Sequence, residues 1–143
     1  MLNQNPQKDK RMGDRSNIAI IQSKSNNDQV WFYGHWAGES NKSAVQSALA
    51  RNQRWTDTSY LTRIIWDEFC PSEDHGSETG FGISCTIQDN ERKIVVVDIP
   101  RQIVFEIDED QVTAGGKVPS NFVPSESWSF EEYAAKAQSP ARA

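Results

Sequence analysis

Val30-Trp31-Phe32-Tyr33-Gly34-His35-Trp36-Ala37-Gly38 concentrates the residues of this chain that could do chemistry: two of its five tryptophans, a tyrosine and one of its two histidines. Aromatic rings offer flat faces for stacking, and guanidinium groups hold phosphate or carboxylate through paired hydrogen bonds. Trp31, Tyr33, His35 and Trp36, with Arg51, Arg54, Trp55 and Arg63 further on, therefore compose a candidate surface for a partner protein or a small nucleotide. The competing reading makes these tryptophans core and the arginines its solvated rim.

Covalent and metal chemistry find less support. A thiol nucleophile would need Cys70 or Cys85 beside His35 or His75, and neither cysteine sits in a local signature for it. Gly80-Phe81-Gly82-Ile83-Ser84 lacks the spacing of a nucleophile elbow; its glycines suit a close backbone approach or a bulge rather than a phosphate loop. Among His35, His75, Glu68 and Asp98 no two stand at ligand spacing on one element, so no metal and no cofactor is expected. Carboxylate pairs among Asp67, Glu68 and Asp98 are the coincidences that 20 acidic residues produce. A hydrolase of unknown substrate is thus the last of the readings.

The elements that must position these residues follow from periodicity. Asn17 to Ser23 and Gln29 to Trp36 read as two strands around the turn cluster Lys24-Ser25-Asn26-Asn27-Asp28, an antiparallel hairpin. In the second strand Val30, Phe32 and Gly34 point one way and Trp31, Tyr33 and His35 the other. Neither face is polar, which calls for a covered central strand, or for a face lining a groove or a subunit interface. Helices are predicted over Lys42 to Asn52, capped by Ser40 or Asn41, and over Ser59 to Phe69, capped by Thr58 and stopped before Pro71. In the second, Glu68 falls inside the stripe of Leu61, Ile64, Ile65 and Phe69. Its carboxylate either bends to water from a fraying turn or is partly buried and needs a basic partner.

After a polar acidic loop at 71–79, strands are predicted over Gly80 to Ile87, Arg92 to Asp98 and Ile103 to Ile107, as an antiparallel meander. Beyond Asp110 the pattern fades until Ser129, which with Glu132 forms a capping box for a short helix at 130–137. A helix so short is marginal alone, so Trp128, Phe130 and Tyr133 must dock on a surface of the same subunit or of another. The expected class is α+β: an antiparallel sheet of about five strands, two helices packed on one face, order ββααβββ, and a C-terminal helical tail. Residues 1–12 form a polar arm, 13–110 a single domain and 111–143 an extended tail.

Composition narrows the setting. A net charge of -5 argues against a binder of duplex nucleic acid, whose affinity is dominated by cationic contacts to phosphate. The basic residues Lys8, Lys10, Arg11 and Arg15 gather near the start, and Glu106, Asp108, Glu109 and Asp110 near the end of the expected domain. The cysteines lack zinc or dithiol spacing, no apolar run is long enough for a bilayer, and residues 1–12 hold no apolar leader. The expected place of action is an intracellular fluid or a particle assembled there, without a membrane partner.

Met12-Gly13-Asp14-Arg15-Ser16-Asn17, the strand ending His35-Trp36-Ala37-Gly38, Ala48-Leu49-Ala50-Arg51 with Arg54-Trp55, and Tyr60-Leu61-Thr62-Arg63-Ile64-Ile65 together resemble a family of small uncharacterised phage and bacterial proteins. Such proteins open with Met-Gly-Asp-Arg and carry a His-Trp-Gly-Gly-like turn; the resemblance spans roughly residues 12 to 107. It implies that Met12 matches the usual start, and it brings no activity. Ala37 stands where the first glycine of that turn would be. The resulting expectation is a non-enzymatic, phage-encoded interaction protein acting by oligomerisation and binding, virion-associated or serving host takeover or counter-defence. The alternative is a protein that sequesters a nucleotide signal.

Overall fold

A computed structural model of the chain describes residues 13–138. The predicted arm at 1–12, with Lys8, Lys10 and Arg11, lies outside the described residues. The fold is α+β: a six-stranded sheet with helices packed against it.

The hairpin forms as its alternation predicts. β1 (Ser16–Ile21) and β2 (Gln29–Gly34) are antiparallel, in register from Ser16 opposite Gly34 to Ile21 opposite Gln29. Next come α1 (Ser40–Ala50) and α2 (Thr58–Phe69). The cap of α2 is Asp57 rather than Thr58, its carboxylate accepting from the Tyr60 backbone N–H at 3.2 Å. The chain then adds β3 (Phe81–Ser84), β4 (Ile94–Asp98), β5 (Ile103–Ile107), the two-residue β6 (Trp128–Ser129) and α3 (Phe130–Ala135). Ser129 and Glu132 close the predicted capping box on α3.

The sheet departs from the expected antiparallel meander. Its order is β3-β2-β1-β4-β5-β6, and β4 runs parallel to β1, so the sheet is mixed and β3 and β4 are not neighbours. Burial explains the exchange. Every residue of β4 is buried, as is every residue of β1, so both need covered faces and pair at the centre. β3 has no fully buried residue and takes the rim. The sixth strand, β6, extends β5 by pairing Ile103 with Ser129 and Val104 with Trp128.

Two cores result. Ile18, Ile20, Phe32, Val95 and Val97 lie under Val45, Leu49, Leu61 and Ile65 of the helices, joined by Phe130 and Tyr133. On the opposite face Ala19, Ile21, Trp31, Val96, Phe105 and Ile107 are covered by Val112, Val118 and Phe122, from the coil between β5 and β6. Trp128, Phe130 and Tyr133 thus dock on the chain's own helical face, with Trp55 edge-on to Phe130 at 5.7 Å. Glu68 takes the second of its two expected states: partly buried, it receives Arg51 Nη2 at 2.6 Å. Among the described residues no helix is long and apolar enough to cross a membrane.

Candidate functional site

The two short motifs of the resemblance meet at the end of β2. Gly13-Asp14-Arg15 lies against His35-Trp36-Ala37-Gly38: the Asp14 N–H donates to His35 O at 2.7 Å, and the Gly38 N–H donates to Asp14 O at 2.8 Å. Gly13 (φ 89°) leaves no room for a side chain, since a Cβ there would stand 2.6 Å from His35 Nε2. The left-handed residue of the turn is Gly38 (φ 57°). Ala37 is not among the positive-φ residues, so the alanine in place of the first glycine costs the backbone nothing.

Charge locks this corner. Arg92, from the loop before β4, grips the Asp14 carboxylate with two hydrogen bonds of 2.8 and 2.6 Å and reaches Glu39 at 3.4 Å. Those side-chain bonds from Arg92 hold the Asp14 carboxyl below its ordinary pKa, outweighing the opposing effect of burial, and they raise the guanidinium in turn. Arg15 is engaged by Glu91 and Asp89, and its backbone N–H lowers the Glu91 carboxyl. Tyr33 and His35 share a hydrogen bond of 2.7 Å between the phenol oxygen and Nδ1. Partial burial raises the Tyr33 pKa, so the phenol keeps its proton.

Beside this corner lies a groove of about 340 Å³, lined by Trp36, Phe69, Pro71 and Phe81 with Asp74 on its rim. Trp36 is 54% exposed, and its ring packs edge-on against His35 at 4.3 Å. The groove opens where β3 begins, for the His35 N–H donates to Gly80 O at 2.8 Å and the Trp36 ring comes within 3.9 Å of a Cβ built on Gly80. β3 terminates the sheet, and no described strand pairs with its outer side. Ile83, in that strand, is 62% exposed.

The candidate residues read from the sequence fall into three places. Trp31 is fully buried under the C-terminal coil, its Nε1 donating to Gln29 Oε1 at 3.0 Å, so its ring offers no face to a ligand. Tyr33, His35 and Trp36 stay together at the corner. Trp55 lies beyond the other end of α1, which spans about 16 Å at 1.5 Å per residue. It borders a separate hollow with Leu49, Ala134 and Ala135. Arg54 lies over the Tyr60 ring and is bridged to Asp57, and Arg63 is bridged to Asp67 along α2.

The thiols stay apart from catalytic geometry: His75 Nε2 donates to the Cys70 carbonyl at 2.9 Å, not to its sulfur, and burial raises the Cys70 thiol pKa. Among the described residues no three His, Cys, Asp or Glu side chains group as metal ligands. Asp14, Arg92, Phe81 and Ile83 were missed by sequence reasoning. Only Asp14 had a signal, its place in the Gly-Asp-Arg motif.

The class that the architecture defines is an α+β protein on a six-stranded mixed sheet. Compared with protein-family models, with curated proteins and with solved structures, the chain has no significant match.

Proposed function

We propose that this chain is a non-enzymatic interaction protein that binds another polypeptide, a second copy or a different chain, along the open edge of β3 and the groove beside Trp36. The observation that carries the reading is the edge itself. Exposed strand edges are usually blunted by charge, proline or a bulge, because unpaired N–H and C=O groups template a further strand. From Thr79 to Gln88 this chain has no charged residue and no proline, and among the described residues the edge is blunted by the shortness of β3. The resemblance to phage proteins supplies the setting we propose, an infected cell or a virion, with host takeover, counter-defence or assembly as the service. A nucleotide reading is less well supported, because Arg54, Arg63 and Trp55 do not converge on Tyr33 and Trp36, while Arg15 and Arg92 are held by carboxylates.

The test is amide hydrogen exchange combined with sedimentation. On association, at high protein concentration or with an added partner, amides of Phe81–Ser84 should gain protection, and Ile83→Lys should abolish both the protection and the association. Association that leaves those amides unprotected would defeat the reading.

A further inference from the structure

We infer that the occupant of this edge is an extended segment of another protein that carries alternating apolar residues and a lysine or arginine, an inference that rests on the proposed use of β3. A strand added to β3 places every second side chain on the face of Phe81 and Ile83. Phe81 packs edge-on against Phe69 at 5.4 Å within the groove wall, and Ile83 lies two residues on with most of its surface bare. Two apolar side chains at i and i+2 therefore have seats, one in the groove and one over Ile83.

The charge of the segment follows from the loop that borders the groove. Glu73, Asp74 and Glu78 lie within six residues, and none of them makes an ion pair among the described residues. The carboxylates of Asp14, Glu39, Glu68, Asp89, Glu91 and Asp98, by contrast, are each bridged to an arginine. Asp74 reaches the groove itself. A cation seated there meets the Asp74 carboxylate, with Glu73 and Glu78 on the same loop adding to the negative field, whereas an acidic segment meets repulsion. A second copy pairing through its own β3 brings Thr79 to Gln88, which contain neither lysine nor arginine, so it cannot provide that cation from the paired strand.

Fluorescence anisotropy with synthetic peptides tests this on the full chain. The probes are a labelled peptide with threonine at every second position and two valines then a lysine at the alternate ones, so that the lysine shares the face of the valines, its counterpart with glutamate in place of the lysine, and the lysine peptide with central prolines that forbid a strand. The lysine peptide should bind at least about tenfold more tightly than either control, and Ile83→Lys or Trp36→Ala should remove at least about tenfold of its affinity. Combining Glu73→Lys and Glu78→Lys, both exposed, with Asp74→Lys in the groove wall should invert the preference toward the glutamate peptide. Circular dichroism confirms that each variant is folded. Equal binding of all three peptides, or no binding, overturns the inference. If no peptide binds yet the chain self-associates in a manner lost in Ile83→Lys, the peptide inference falls while the edge reading stands. If neither occurs, both fall.

Discussion

Asp14 is where the corner is held most tightly, and its charge gives the corner a pH dependence whose sign can be stated. Because Arg92 lowers the Asp14 pKa below 3.8, the pair stabilises the fold fully above that value and loses its contribution as pH falls through the lower folded-state value. The two side chains are 41% and 38% exposed, so solvent screening limits the gain to about 0.5–1 kcal/mol. Asp14→Asn should cost about that much in urea unfolding at neutral pH, and the gap to the parent chain should close in acid. A gap that persists unchanged below pH 3.8 would contradict this assignment. This pair was illegible in the sequence, since 78 positions separate its members and no local spacing marks them. Glu68 was half legible: its place in an apolar stripe raised the question of a partner, but only the packing of α1 against α2 named Arg51.

Elements were readable where their signals are local. The hairpin was legible because alternation and a turn cluster lie within one stretch of chain, and α3 because its capping box is four residues long. The pairing of β4 with β1 was not, since strand neighbours far apart in sequence leave no local mark beyond the apolar run of β4 itself. β3 came out shorter than its pattern predicted, and that shortness matters for the edge. At the end of β2, Gly34 passes so close to its surroundings that a Cβ would stand 2.6 Å from that of Ala37 and 2.9 Å from the Phe69 ring. Gly34→Ala should therefore destabilise the fold by about 1–3 kcal/mol through overpacking, read as a lower urea midpoint at unchanged slope. A neutral substitution would mean that the turn and α2 yield more easily than their packing indicates.

For the whole molecule, the C-terminal segment belongs to the body as much as the sheet does. Val118, Phe130 and Tyr133 are each at most 1% exposed, so Phe130→Ala should cost about 3–5 kcal/mol, the range for emptying a large aromatic site in a core. Deleting residues 111–138 should bare Trp31, Val96 and Phe105, which a red-shifted tryptophan emission and dye binding would report; an unshifted spectrum would refute the coil's role as a cover. Loss of association in such a truncation would therefore report damage to the core before it reported a lost docking arm. The parallel union of β1 and β4 also sets a clock. Ile18 rests beside Val95, more than seventy residues later, so the hairpin and both long helices are complete before the strand that closes the centre has left the ribosome. Because such a long loop must close before its contacts repay it, refolding should take about milliseconds to seconds rather than microseconds, and stopped-flow tryptophan fluorescence would time it. Until then the inner flank of β1 is bare, and the nascent chain passes through an interval in which it has a second, more hydrophobic strand to offer its neighbours.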